Sequence, residues 1–306
     1  MKKILLVLSV LIVALVVGIF FLNTVVPSEP VPLLPESSTT TPNKIIESSI
    51  SIIPKNILPG DPIFVTIDSV SSTTRLLYDK KPVPFFSYEG KEHAFIAVDF
   101  NEKASTHTLE ATFADGSVAT TSVTVSTRPK IEAPLGIPEK LGGNTPQAAS
   151  QLLTNLAKEN NILNTVLSSS TILWGKAFQY PLETIFITDD YGYDRLTVNS
   201  TIVHKGTDFR APEGTKVLAM NDGVVKVART FVVYGNSVII DHGLGVQTLY
   251  MHLSKLNVKE GDRVTAGQLI GLSGMTGYAE SPHLHISVKI SGISIDPMTF
   301  IRFFVD

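Results

Sequence analysis

Three rhythms of apolar and polar residues divide the 306-residue chain. The first is a continuous apolar run. After Met1-Lys2-Lys3, residues 4–22 are apolar save for Ser9 and Gly18. About 19 residues of helix at roughly 1.5 Å each reach roughly 28 Å, near the hydrocarbon thickness of a bilayer. Lysines ahead of the run predict an amino terminus held in the cytoplasm and everything beyond it exported. The run is long for a cleavable signal, and Asn23-Thr24-Val25-Val26-Pro27 has no small-x-small site. Residues 1–26 therefore read as an uncleaved transmembrane anchor. Residues 27–43, mostly Pro, Ser, Thr and Glu, bury too little to order themselves and read as a flexible linker.

The second rhythm is alternation. Over residues 44–127 it appears in Ile63-Phe64-Val65-Thr66-Ile67, Ala94-Phe95-Ile96-Ala97-Val98, and the runs 107–113 and 118–125, punctuated by Pro59-Gly60-Asp61, Glu89-Gly90-Lys91 and Asp115-Gly116. About seven short strands predict a small antiparallel β-sandwich of immunoglobulin-like type. It reads as a spacer or binding module, with the isolated His93 and His107 as packing or surface residues. The third rhythm is helical and lies in a linker of residues 128–173. Thr145 as N-cap, Pro146 in the first turn, and Ala149, Leu152, Leu153, Leu156 and Ala157 at helical spacing predict a helix to about Leu167, broken near Asn160-Asn161. Over residues 174–306 alternation returns, in 217–220, 223–227, 237–241, 246–250 and 285–289. The fold class is mainly β.

Composition narrows the function. With 25 basic and 28 acidic side chains, no positive excess exists to hold a phosphate backbone, so no nucleic acid is expected as a partner. The chain contains no cysteine, which excludes disulfides, thiolate metal sites, a cysteine nucleophile and a lipoprotein anchor.

Five of the seven histidines, His204, His242, His252, His283 and His285, fall in the carboxy-terminal third. His283 and His285 enter a predicted strand two residues apart. That spacing puts both imidazoles on one face about 7 Å apart, where one can bind a metal and the other exchange protons. His204 and Asp208 are too far apart on an extended strand to share an ion, but a turn or bulge at Gly206 brings them together. Two imidazoles and a carboxylate suit Zn2+ and leave a position for water. His252 ends another predicted strand.

These elements make the stretch from about Tyr191 to Phe300 resemble the lysostaphin-like zinc metallopeptidases, which cut peptide bonds in bacterial peptidoglycan. The resemblance rests on His204-x-Gly206-x-Asp208, Ala211-Pro212-x-Gly214-Thr215, Gly235-Asn236, Asp241-His242-Gly243, Tyr250-x-His252-Leu253, Gly261-Asp262, Ser273-Gly274-x-Thr276-Gly277, Pro282-His283-Leu284-His285 and Asp296-Pro297. It implies a β-rich catalytic domain of barrel-sandwich hybrid type over residues 174–306. It further implies one Zn2+ per chain on His204, Asp208 and His285, with His283 as general base and His252 stabilising charge on the scissile carbonyl. His242 lies in the pattern but is not among the family's ligands, and reads as structural. Asp241 and Asp296 read as turn or cap residues, or as acceptors behind the ligands. The loop Thr188–Arg195 is acidic where anchored family members often carry a basic one, a departure that bears on substrate preference. The implied protein is a single-pass membrane zinc metalloendopeptidase acting outside the cytoplasm on peptidoglycan peptides. A non-catalytic activator of another wall hydrolase would typically have lost ligands, whereas all five side chains are present. A lipoyl-like carrier would need a lysine at a turn tip that this chain does not have.

Overall fold

The structure is a computed structural model describing residues 48–305. The expected anchor over residues 1–26 and the linker over 27–43 lie outside the described residues. Among the described residues no helix is long and apolar enough to cross a membrane.

The alternating runs of the amino-terminal part form β1 (Ser49–Ile53), β2 (Pro62–Asp68), β3 (Thr73–Tyr78), β4 (Lys81–Pro82), β5 (Phe85–Tyr88), β6 (Lys91–Ala97), β7 (Ser105–Phe113) and β8 (Val118–Val125). They make two four-stranded antiparallel sheets, ordered β1-β2-β6-β5 and β4-β3-β7-β8. One face of each sheet supplies a shared core that includes Ile63, Val65, Ile96, Leu76, Leu109 and Val123, so the two sheets pack face to face. His93 stacks on Phe64 at 4.7 Å between ring centres, and His107 pairs with Asp79 on the outside.

The other face of β2 and β6 is not exposed. Phe64 and Phe95 are partners across the ladder, and both are buried against the carboxy-terminal domain. Ring centres lie 5.4 Å apart for Phe95–Phe300, 5.1 Å for Phe86–Trp174 and 5.5 Å for Phe64–Phe303. Full burial contributes about 1.5–3 kcal/mol per such ring, so the sandwich is docked on its neighbour. Arg128 strengthens the joint, with Nη2 2.6 Å from Asp61 Oδ1 and its guanidinium over the Tyr191 ring. The Tyr191 hydroxyl donates to the Ser294 carbonyl at 2.9 Å. Tyr191 thus belongs to this joint.

β9 (Glu132–Pro134) and α1 (Pro146–Asn164) follow. Thr145 Oγ1 accepts from the Ala148 amide and Pro146 opens the helix, as predicted. The predicted break does not occur. The helix runs through Asn160-Asn161 because Leu163 is buried in the last turn and Asn160 accepts a hydrogen bond from the Tyr234 hydroxyl; tertiary contacts outweigh the weak helix propensity of Asn.

The carboxy-terminal domain contains β10 (Ile187–Asp189), β11 (Asp194–Leu196), β12 (Thr201–Val203), β13 (Thr207–Arg210), β14 (Lys216–Leu218), β15 (Gly223–Thr230), β16 (Asn236–Gly243), β17 (Val246–Leu253), β18 (Lys255–Leu256), β19 (Arg263–Val264), β20 (Leu269–Leu272), β21 (His283–Ile290), β22 (Ile293–Ile295) and α2 (Pro297–Val305). Its main sheet runs β10-β13-β21-β17-β16-β15-β19, with β22 beside β21. The terminal helix α2 was not foreseen. Asp296 Oδ1 accepts from the Met298 and Thr299 amides at its start, and Phe300 and Ile301 are buried. Along β21, Leu284, Ile286, Val288 and Ile290 enter the core. His283, His285, Ser287 and Lys289 alternate onto the opposite face, and the candidate site is there.

Candidate metal centre

β13 and β21 are antiparallel neighbours, with Asp208 directly opposite His285 and Arg210 opposite His283. Directly paired residues share a face, so the ladder itself brings the carboxylate to the imidazole. His204 joins them by the turn at Lys205-Gly206. The close approach here needs glycine. A Cβ at Gly206 would lie 2.5 Å from the Ile286 carbonyl oxygen and closer still to the His285 ring. Gly206→Ala is therefore expected to push His285 off its position. The expected cost is about 1–3 kcal/mol of stability from overpacking, with weakened zinc binding, read by thermal melting and metal titration.

The three groups converge tightly. His204 Nε2 is 3.2 Å from Asp208 Oδ1 and 3.1 Å from His285 Nδ1, and His285 Nδ1 is 2.7 Å from Asp208 Oδ1. Their outer hydrogen bonds decide where the protons are. His204 Nδ1 donates to the Asp190 carbonyl at 2.8 Å, which leaves Nε2 bare. The Ser287 hydroxyl donates to the Lys205 carbonyl, so its oxygen must accept from His285 Nε2 at 2.9 Å, which leaves Nδ1 bare. Asp208 Oδ2 accepts from Arg195 Nη2 at 2.8 Å, freeing Oδ1. Two nitrogen lone pairs and a carboxylate oxygen thus meet with no hydrogen between them, which is repulsive unless a cation joins them. Ligand atoms on a tetrahedral ion at about 2.0–2.2 Å stand roughly 3.3–3.6 Å apart, so these groups need open by only about 0.1–0.9 Å to hold one. The residues form a metal-ligand set of two histidines and an aspartate.

Electrostatics agree with that reading. Burial pushes the His285 imidazole down to about 4, so it is neutral near pH 7, as a ligand must be.

His252 reaches the same place by a distortion. On a regular strand its side chain would follow Tyr250 into the core. Instead its φ is +62°, a left-handed backbone that costs about 1–2 kcal/mol for such a residue. Its ring lies 4.9 Å from that of His283 and 6.1 Å from that of His285. Burial, then His283 and His285, lowers its pKa to about 3. His252 Nδ1 donates to the Thr276 carbonyl and His283 Nδ1 to the Ser281 carbonyl, both at 2.8 Å. Each Nε2 is left as an acceptor, and that of His283 stands 3.8 Å from Asp208 Oδ1.

All five predicted site residues therefore meet in one place. His242 does not join them: it is fully buried, its Nδ1 donates to the Asp222 carbonyl at 2.7 Å, and its Nε2 meets Thr248 Oγ1. Asp241 accepts from the Ser169 and Gly243 amides, and Asp296 caps α2, so neither backs a ligand. Arg195, Asp189 and Ser287 were missed by sequence reasoning. Arg195 Nη2 bridges Asp208 and Asp189 at 2.8 Å each. The acidic loop thus acts in part as wiring for the centre, and the single basic residue among its acidic neighbours was the available signal.

Comparison with known proteins places this geometry. Residues 202–297 match the sequence model of Peptidase family M23. Over 127 residues, 40% of this chain and 30% of the relative, the sequence is 42% identical to the peptidoglycan DD-endopeptidase ShyA of Vibrio cholerae. Over 120 residues, 39% of this chain and 28% of the relative, it is 40% identical to the DD-carboxypeptidase/endopeptidase Mpg of Neisseria meningitidis. The chain thus spans less than a third of the length of either relative. A Pseudomonas aeruginosa chain named as an M23 peptidase candidate shares the fold over 80% of this chain and 94% of its own, with a TM-score of 0.60 at 24% identity.

Proposed function

We propose, since residues 202–297 match the sequence model of Peptidase family M23, that the protein is a zinc endopeptidase hydrolysing the peptide cross-links of bacterial peptidoglycan. The observation carrying this reading is the convergence of three proton-free donors from His204, Asp208 and His285 beside two further imidazoles. The names of the two relatives support the substrate class. In the same reading the apolar run over residues 4–22 anchors the protein in the cell membrane, with an immunoglobulin-like sandwich and the catalytic domain on the outer side.

Zinc held by the three ligands would supply Lewis acidity and an acidified water. The remaining work falls to the chain's own groups. His283, whose Nε2 stands 3.8 Å from the ligand oxygen, takes the proton of the attacking water and returns it to the leaving amine. His252, once protonated at Nε2, stands ready to donate to the developing oxyanion. Arg195 holds the Asp208 carboxylate in orientation through Oδ2, and Ser287 fixes the ring of His285.

The test is digestion of defined cross-linked muropeptides by the purified chain, with products identified by mass. About one zinc per chain and cleavage at a peptide cross-link are expected, with loss of cleavage on chelation and recovery on adding zinc. A chain that stays metal-free after zinc addition, yet stimulates a separate wall hydrolase, would replace this reading with that of a non-catalytic activator.

A further inference from the structure

A four-residue turn, residues 190–193, joins β10 to β11 and stands between the metal centre and the sandwich. It grips His204 by three backbone groups. His204 Nδ1 donates to the Asp190 carbonyl, the Gly192 amide donates to the His204 carbonyl, and the His204 amide donates to the Tyr193 carbonyl, each at 2.8 Å. The first of these bonds fixes both the tautomer and the angle of a ring that must offer Nε2 to a metal. The aim of His204 is therefore set by this turn.

The turn is held in place by its one large buried side chain, Tyr191, which reaches into the joint with the sandwich. A Cβ on Gly60, in the turn before β2, would overlap the Tyr191 ring, so the sandwich backbone meets that ring directly. Phe100, in the loop after β6, meets it edge-on at 5.9 Å between centres. The Arg128 guanidinium lies 5.4 Å from the ring centre and is itself fixed, with Nε on the Pro59 carbonyl and Nη2 on Asp61, both at 2.6 Å. The next residue is confined as well. Gly192 has φ +89°, and a Cβ there would stand 3.0 Å from Phe100 Cε2 and 3.3 Å from Arg128 Cδ. On the far side the Tyr191 hydroxyl donates to Ser294 of β22, and Ser294 is the ladder partner of Lys289 on the strand that carries His285. One ring thus ties the sandwich, the turn around His204 and the strand pair of His285 together.

We propose that Tyr191 is a positioning residue through which the docked sandwich fixes the first metal ligand. Gly60, Phe100 and Arg128 clamp the ring, and residues 190–193 pass that constraint to His204 through contiguous packing and hydrogen bonds. The sandwich is then a working part of the zinc site rather than a spacer. The inference rests on the zinc reading of the centre and takes nothing from the substrate. In the full, zinc-loaded chain, Tyr191→Ala removes the clamped ring and leaves every ligand in place. Zinc retained against a competing chelator should show an affinity about tenfold lower, the low end of what the outer partners of a ligand are worth. The loss should appear at a temperature where circular dichroism finds the metal-free variant fully folded. With cobalt in place of zinc its visible spectrum should shift, because those bands report the geometry of the ligands. Tyr191→Phe, which keeps the ring, should stay within about threefold of wild type, the smaller worth of one neutral hydrogen bond. Phe100→Ala, made wholly on the sandwich side, should weaken zinc in the same direction and carries the test if Tyr191→Ala does not fold. Phe303→Ala loosens the joint elsewhere, where Phe303 packs on Phe64, and should lower the melting temperature while leaving zinc affinity alone. A folded Tyr191→Ala or Phe100→Ala protein that held zinc like wild type would overturn the proposal, as would a Phe303→Ala protein that lost zinc equally. The expected zinc response in a chain that hydrolyses no muropeptide would uphold the coupling and defeat the peptidase reading; a wild-type chain with no affinity for zinc would defeat both.

Discussion

Asp208→Ala is expected to strip the protein of its zinc and, with it, all measurable hydrolysis. The carboxylate has three partners, divided between its two oxygens. Oδ1 faces the bare nitrogens of His204 and His285, and Oδ2 holds Arg195. Removing it takes one of three ligands from the ion, and from Arg195, whose Nε already lacks a partner, one of its two carboxylates. Losing only an outer hydrogen-bond partner of a ligand costs about 10–100-fold in metal affinity; losing the charged ligand itself should cost more. His204→Ala should behave alike. The measurement is metal content after gel filtration beside muropeptide digestion. An Asp208→Ala protein that retained one zinc per chain would remove this residue from the ligand set. Arg195→Ala, which leaves all three ligands in place, should show the milder loss, with activity partly restored by excess zinc.

Much of this centre could be read from the sequence because its parts obey local rules. A strand carries His283 and His285 to one face whatever surrounds it, and a histidine and aspartate four apart can meet only if the chain turns, which Gly206 permits. The N-cap at Thr145 and the strand over Val118–Val125 are equally local. What stayed hidden depends on partners distant in sequence. Phe64 and Phe95 sit at positions that alternation assigns to solvent, and only the docked domain makes them core. The helix continues past Asn160 because Tyr234 and the sheet hold it. His252 faces the site through a left-handed backbone that no residue type announces, and Arg195 sat in a loop whose net acidity concealed its one cation. Where propensity and tertiary contact disagreed, contact won. The helix α1 is the extreme case: its stripe of apolar residues was legible, but what the stripe lies on was not.

The proton-transfer pair supplies the other large expected effect. His283→Ala should keep its zinc, since the ring's Nδ1 is committed to the Ser281 carbonyl and its Nε2 stands 3.8 Å from the ligand oxygen as a neighbour of the set. Turnover should nevertheless fall by about 10²–10⁴, the usual worth of a positioned general base. His252→Ala should likewise keep zinc and lose about 10²–10³, the worth of an oxyanion donor. The hydrogen bonds add a condition. His252 donates from Nδ1 to the Thr276 carbonyl, and burial keeps it neutral, so it can donate from Nε2 only after accepting a proton. The two histidines, 4.9 Å apart between ring centres, would then share one proton in the reaction, and groups that act as a unit are strongly non-additive. The double variant should therefore be scarcely slower than the worse single one, whereas independent roles would multiply the two losses. If instead His283→Ala lost zinc and His285→Ala kept it, the ligand and the base would have to exchange places, even though Asp208 pairs across the ladder with His285.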